Sequence, residues 1–212
     1  MKTRVWIVLL IFLMVCPACS QIKEYADIAK GKNISKKYQV ALKRWTRDKT
    51  VHSQFETMVH IVATYKSREF NKAYLSEYSK IYLLTDSEKE AKARLYEDLA
   101  SDYTEFLFYA YIPEKNSNDF SQADSIWKIF LSDGKGHRIY PIEVRKIKKI
   151  TPVTLKFFPY VNPHYGMLYS LKFYPSLLSL ETQRLKLVFA SVLGKVELTW
   201  DEAVADKTAN PS

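Results

Sequence analysis

Between residues 104 and 200 the chain is a succession of short apolar runs separated by turn residues, and this pattern constrains the fold most strongly. The runs are rich in aromatic and β-branched residues, which favour strands, and they are TEFLFYAYI (104–112), IWKIFL (126–131), VTLKFF (153–158), GMLYSLKF (166–173), RLKLVFAS (184–191) and KVELTW (195–200). The Asp-Gly pair in SDGKG (132–136) predicts a hairpin turn, as does Leu193-Gly194, whereas Pro141 breaks strand pairing. Short strands at fairly regular spacing predict a β-sandwich or a barrel.

The first half of the chain alternates between helical and strand patterns. Tyr38, Ala41 and Trp45 share one helix face behind a Ser35 cap, which predicts a short amphipathic helix. Apolar and polar residues alternate from 51 to 65 and predict one long strand. Two helices follow it, the second beginning at Thr85 or Asp86 and bearing acidic residues in its first turn, and the two segments are 68–84 and 85–103.

These patterns predict an α+β protein. It is a mostly-β, immunoglobulin-like sandwich of about eight strands, with a helical segment near the N-terminus and a two-helix insertion after the first strand. An open barrel is the alternative. The predicted boundaries are a signal peptide at 1–18, a tether at 19–34, a single domain at 35–201 that is β-rich over 102–201, and a flexible tail at 202–212.

The first twenty residues have the three parts of a secretory signal. Lys2 and Arg4 form a basic start, residues 5–15 carry no charge, and the small residue Ala18 marks the exit. A helix that crosses a bilayer needs about twenty apolar residues, and this run has about eleven. A cleaved signal peptide is therefore favoured over a permanent membrane span.

The stretch CPAC (16–19) resembles a bacterial lipobox, in which a small residue precedes a cysteine that is acylated and becomes the new N-terminus. Ala18 and Cys19 match this pattern, whereas Cys16 stands where Leu is usual. The resemblance implies that Cys19 bears acyl chains that anchor the protein in a membrane, and that Ser20 directs it to an outer membrane, facing the periplasm or the cell surface. The alternatives are acylation of Cys16, ordinary cleavage after Ala18, a redox-active cysteine pair and a zinc clip.

The charge balance favours anionic partners. Loss of Lys2 and Arg4 with the signal peptide lowers the formal net charge from +9 to +7. A basic surface suits lipid head groups, acidic polysaccharide or nucleic acid, and the export signal argues against nucleic acid. The densest basic run, VRKIKKI (144–150), is interpreted as a strand edge whose lysines face solvent and oppose aggregation.

No catalytic residue, metal site or cofactor is predicted. The four histidines have none of the spacings of known zinc or calcium motifs, and they are His52, His60, His137 and His164. The chain lacks the G-x-S-x-G motif of serine hydrolases and a glycine-rich phosphate loop. We therefore expect a protein that is not an enzyme.

One aromatic segment is a candidate for recognition. FFPYVNPHYGMLYSLKFYP (157–175) combines prolines with Tyr160, Tyr165 and Tyr169, which we interpret as contacts for a ligand or partner. Tyrosines in stiff loops offer large contact areas at a low cost in conformational entropy. The alternative is that these rings belong to the core.

Three segments together resemble uncharacterised bacterial lipoproteins with a helical part and a C-terminal β domain, and they are RWTRDKTVHSQFET, ATYKSREFNKAYLSEYSKIYLL and SIWKIFLSDGKGHRIYPIEV. That resemblance implies no particular activity. We expect a membrane-anchored envelope lipoprotein that acts as a non-enzymatic binding or scaffold module for an envelope protein or an anionic cell-surface polymer. The alternatives are a carrier or chaperone for a lipid or other apolar ligand, with the tyrosine-rich helices as a lid, and an enzyme whose site is assembled from scattered loops.

Overall fold

The computed structural model describes residues 34–132, 137–174 and 185–201. The chain divides into two compact units, and almost all of these residues belong to the second unit, Lys36–Ser212. Cys19, the predicted signal peptide and the predicted tail lie outside the described ranges, as does nearly all of the predicted tether.

The helices of the described ranges lie mostly before the third strand. They are α1 Lys36–Trp45, α2 Arg68–Tyr82, α3 Asp86–Asp102, α4 Pro152–Phe157 and a 3-10 turn at Lys115–Ser117. Ser67 caps α2, since its side chain accepts a hydrogen bond from the backbone N–H of Phe70 at 3.0 Å. Thr85 caps α3 and forms a capping box with Glu88, which confirms one of the two predicted cap residues.

The strands form two antiparallel sheets. They are β1 Thr46–Ser53, β2 Glu56–Tyr65, β3 Thr104–Tyr111, β4 Lys128–Ser132, β5 Arg138–Ile139, β6 Glu143–Lys146, β7 Met167–Phe173, β8 Leu185–Ser191 and β9 Gly194–Trp200. One sheet has the order β1-β2-β3-β7-β6, and the other has the order β5-β4-β8-β9. The protein therefore combines helices with antiparallel sheets, as predicted.

Aromatic side chains fill the space between the two sheets. Phe106 of β3 contacts Trp200 of β9, and Phe108 of β3 contacts Phe189 of β8, with ring centroids 5.2 Å and 5.0 Å apart. None of these four rings is exposed to solvent. Burial of such rings is the main source of stability available to this core.

The edges β1 and β9 lie side by side. The guanidinium Nε of Arg47 in β1 donates to the carbonyl oxygen of Thr199 in β9 at 2.9 Å. The indole N–H of Trp200 donates to the carbonyl oxygen of Trp45, the last residue of α1, also at 2.9 Å. These two bonds connect the larger sheet and α1 to the smaller sheet.

The basic run lies at the opposite edge of the larger sheet. Strand β6 forms that edge, and Arg145, Lys148 and Lys149 are exposed on it or just after it. The predicted solvated strand edge is confirmed. Pro141 lies between β5 and β6, where the chain passes from one sheet to the other.

The predicted long strand at 51–65 is confirmed over Glu56–Tyr65, which is β2, but it does not continue back to residue 51. The chain turns at Gln54 and Phe55, and residues 51–53 belong to β1, the other strand of this hairpin. Gln54 has a φ of 56°, which is the left-handed conformation that a tight turn requires. His52 and His60 consequently lie on neighbouring strands.

The predicted strand at 153–158 is wrong, because this segment forms α4. Thr151 accepts a hydrogen bond from the backbone N–H of Thr154 at 3.3 Å, and Pro152 occupies the first helical position. A threonine cap followed by proline is a helix-start signal that outweighs the alternating pattern after it.

Among the described helices, none combines the length and the apolar character that crossing a bilayer requires.

Candidate functional site

The three tyrosines predicted as contacts do not share one surface. Tyr169 is fully buried, and its ring stacks on Phe108 with centroids 4.9 Å apart. Its hydroxyl donates to the backbone oxygen of Asn118 at 2.8 Å and lies 3.0 Å from the side-chain oxygen of that residue. Burial raises the pKa of Tyr169 to about 12. Tyr169 is therefore a core residue, which corrects its predicted role in recognition.

Tyr160 and Tyr165 differ from each other in exposure. The Tyr160 hydroxyl lies 2.8 Å from the Thr64 hydroxyl, and burial raises the pKa of its phenol. Tyr160 thus connects its loop to β2 through this hydrogen bond. Tyr165 is 68% exposed, so among the three predicted contacts it is the one whose ring faces solvent.

The tyrosine-rich helices pack on one another. The ring of Tyr74 in α2 lies 4.5 Å from that of Phe157 in α4 and 6.2 Å from those of Tyr38 in α1 and Tyr96 in α3, measured between centroids. Tyr38 also donates a hydrogen bond to the carbonyl oxygen of Phe157 at 2.8 Å. These rings form a second aromatic core that joins the four helices.

Two neighbouring hairpin turns each expose a large apolar side chain. Phe55 lies in the turn between β1 and β2 and is 103% exposed, and Val192 lies in the turn between β8 and β9 and is 91% exposed. A single exposed apolar residue is ordinary on a protein surface, but two on neighbouring turns make these turns a candidate contact surface.

Gly194 allows these two turns to approach each other. Its φ of 132° is in a region that side chains other than glycine rarely adopt, and a Cβ atom there would lie 2.9 Å from Cγ1 of Val51. The register between β1 and β2 also shifts between Val51 and His52, which bends the hairpin at the same level. Backbone conformation therefore sets the contact between the two hairpins.

A cavity of about 650 Å³ opens beside the two turns. It is lined by Glu56, Thr57, Met58, Tyr111, Pro113, Glu114 and Leu193. We call these seven residues together with Phe55 and Val192 the hairpin-tip surface. Its apolar members suit a partner with apolar side chains, and the Glu56 and Glu114 carboxylates suit one that also carries basic side chains.

The sequence contains a partial signal for this surface. Leu193-Gly194 predicts a turn, whereas the alternation from 51 to 65 places Phe55 inside a strand. No local pattern predicts that the two turns meet, since β1 and β9 are far apart in sequence.

Two of the histidines lie close to threonine hydroxyls. His60 lies 2.8 Å from the Thr50 hydroxyl, and His52 lies 3.4 Å from the Thr57 hydroxyl. Within residues 34–132, 137–174 and 185–201, no three His, Cys, Asp or Glu side chains are grouped so that they could hold a metal ion.

No protein-family model, curated protein or solved structure matches this chain.

Proposed function

We propose that the protein is a membrane-anchored envelope lipoprotein that works as a non-enzymatic binding module and contacts its partner through the hairpin-tip surface. The observation that carries this proposal is the exposure of Phe55 and Val192 on adjacent turns. Buried aromatic anchors at the centre of an interface supply most of its binding energy, and Phe55 is free to become one.

The chemistry of the surface favours a protein as the partner. Glu56 and Glu114 border the cavity, while Met58, Pro113 and Leu193 supply apolar lining. An anionic polymer would be repelled by the two carboxylates. A peptide segment with apolar and basic side chains would complement both the apolar lining and the carboxylates. The partner we propose is therefore an envelope protein with such a segment.

Of the predicted immunoglobulin-like sandwich, we propose only that the two sheets pack face to face, without the immunoglobulin strand order. Buried rings between the sheets support a sandwich. In the immunoglobulin fold, the third strand crosses to the other sheet, whereas here β1, β2 and β3 follow one another in one sheet.

Site-specific photo-crosslinking in intact cells tests the partner contact. A photoreactive amino acid at Phe55 should give a discrete adduct with an envelope protein, and Val192→Asp in the same chain should abolish that adduct because it places a charge on the neighbouring turn of the proposed contact surface. The matched control puts the photoreactive group at Leu95, which is 53% exposed on α3. Equal adducts from positions 55 and 95, or none from 55, would contradict the proposed contact.

Protein from the same cells can be used to test whether Cys19 is acylated. The N-terminal peptide of the protein from native membranes should begin at Cys19 and carry the mass of acyl chains, and Cys19→Ser should release the protein from the membrane fraction. An unmodified N-terminus would contradict the lipoprotein part of the proposal without affecting the partner contact.

A further inference from the structure

The outer face of α1 is strongly basic. Helix α1 carries Lys36, Lys37, Lys43 and Arg44 and no acidic residue, while its apolar side chains Tyr38, Ala41 and Trp45 are buried in the domain. The cationic face is therefore the one that α1 presents to the outside.

Three lysines of this region converge on one groove. A cavity of about 590 Å³ lies between α1 and α2, and it is lined by Lys36, Lys37, Val40, Ala41, Glu69, Lys72 and Ala73. Val40 is 59% exposed, so the floor of the groove is apolar and open. The groove thus combines a cationic rim with a small apolar floor.

The positive charge of this groove is not neutralised within the described part of the chain. Glu69 is the acidic residue of the lining, and it is paired with Arg44 at 3.2 Å. Among the described residues, no ion pair is made by Lys36, Lys37 or Lys72. The three ammonium groups remain available to an external anion.

The dipole of α1 adds to the positive electrostatic potential of the groove. Lys36 and Lys37 occupy the first two positions of the helix, where the helix dipole is positive and where acidic residues would be favourable. Two cations at that end repel the dipole, and a bound anion would relieve this repulsion.

We propose that the groove between α1 and α2 binds the anionic head groups of membrane lipids, with Lys36, Lys37 and Lys72 as the contacting cations. Clustered, exposed lysines are attracted to anionic lipid at roughly fivefold in affinity per charge, which corresponds to about 1 kcal/mol each. Because the apolar face of α1 is used inside the domain, the contact is electrostatic, and α1 does not insert into the bilayer.

This membrane contact and the hairpin-tip surface belong to different ends of β1. Helix α1 passes directly into β1 at Thr46, and the turn that holds Phe55 follows Ser53 at the other end of that strand. An eight-residue strand spans about 26 Å. Lipid at the start of β1 would leave the hairpin turn free for a partner.

Vesicle binding by the full chain tests this assignment. All proteins carry Cys19→Ser so that no acyl chain is present, and each is mixed with phosphatidylcholine vesicles that contain or lack phosphatidylglycerol. The measured quantity is the ratio of the two affinities, which removes any effect of the N-terminal apolar run. The test variant is Lys36→Gln/Lys37→Gln/Lys72→Gln, and the matched control is Lys146→Gln/Lys148→Gln/Lys149→Gln, which removes the same charge beside β6.

We expect the test variant to lose roughly 100-fold of the preference for anionic vesicles and the control to keep most of it. The preference should fall steeply as salt is added, because screening weakens exposed charges. Equal losses in the two variants, or no preference in the parent protein, would overturn the proposal.

Two further outcomes would assign the groove to another ligand. If inorganic phosphate displaces the protein from vesicles at low concentration, the site recognises free phosphate and the lipid assignment is wrong. If a soluble anionic polysaccharide binds through the same three lysines and vesicles do not, the groove is a polymer site. Neither outcome changes the crosslink expected at Phe55, so the two proposals fail independently.

Discussion

Tyr169 illustrates how a single hydroxyl can decide whether an aromatic residue belongs to a surface or to a core. Its ring stacks on Phe108, and its hydroxyl donates a hydrogen bond to Asn118, which is itself 8% exposed. A buried polar group is tolerated when it is hydrogen-bonded. If one partner is removed, the other stays buried without a hydrogen bond, which lowers the free energy of unfolding.

We expect Tyr169→Phe to destabilise the fold by about 2 kcal/mol, because the backbone oxygen of Asn118 would lose its donor while remaining buried. For a domain of this size, that corresponds to a fall of roughly 4–8 °C in Tm. Thermal unfolding followed by circular dichroism measures it.

Tyr165→Phe is the matched control for this variant, since Tyr165 is 68% exposed. Its Tm should remain that of the parent protein. A Tm unchanged in both variants would mean that the Asn118 contact contributes nothing to stability.

The sequence pattern identifies Tyr160, Tyr165 and Tyr169 as candidate contacts, but it does not show which of them are buried and which is exposed. Their spacing and the flanking prolines are equally compatible with a loop and with a strand end. The separation depends on Thr64 and Asn118, which come from distant parts of the chain and reach Tyr160 and Tyr169 through the fold.

At the level of elements, the three long helices differ in how they are held. Helix α2 buries five residues, which are Phe70, Asn71, Ala73, Leu75 and Glu77. Helix α3 buries none, and it is attached to α2 through the Arg68–Glu97 ion pair at 2.9 Å and the ring contact between Tyr74 and Tyr96. Burial therefore secures α2, whereas α3 is held by an ion pair and by its ring contact with the second aromatic core.

The cap of α2 gives a prediction at this level. Ser67 is 1% exposed, and its hydroxyl is the acceptor for the backbone N–H of Phe70. Ser67→Ala should cost about 1 kcal/mol of unfolding free energy, because a buried helix donor loses its acceptor. Equilibrium denaturation with urea measures the loss as a lower midpoint at an unchanged slope.

Ser87→Ala provides the comparison, since Ser87 is an exposed residue in the first turn of α3 and does not occupy its cap position. This variant should unfold at the parent midpoint or slightly above it, because alanine has the higher helix propensity. A similar loss in both variants would show that serine in the first turn matters generally and that the Ser67 cap does not.

The elements with strong local signals were predicted, and those without them were not. Helix α2 has clear apolar periodicity, α3 has a strong cap signal, and β7, β8 and β9 have clear apolar runs. Strand β1 has the sequence TRDKTVHS, which contains few apolar residues because it lies at a sheet edge. It is held by its partners β2 and β9, which local sequence does not reveal.

For the whole molecule, the buried phenols make the unfolding free energy depend on pH in the alkaline range. Burial raises the pKa of Tyr169 to about 12 and raises those of Tyr38 and Tyr74 further, from an ordinary value of about 10. The folded protein therefore holds protons that the unfolded chain releases. Since the unfolded state binds fewer protons above pH 10, stability falls as pH rises beyond that point.

We expect the unfolding free energy to be insensitive to these phenols below about pH 10 and to decline progressively above it. The buried phenols should ionise only as the fold is lost, so a late rise in phenolate absorbance should coincide with the loss of circular dichroism. In Tyr169→Phe, this late rise should be smaller. Complete ionisation of all tyrosines while the circular dichroism signal persists would contradict the prediction.

The direct passage from α1 into β1 has a mechanical consequence. Suppose that tension acts between the chain before Lys36 and a partner held at Phe55. The load then runs through α1 and along the covalent backbone of β1, and it does not have to separate the two sheets. Strand β1 is already extended, whereas the ten residues of α1 can lengthen from about 15 Å to about 33 Å. The hydrogen bond from Tyr38 to Phe157 opposes that extension, so α1 would lengthen only once this bond breaks.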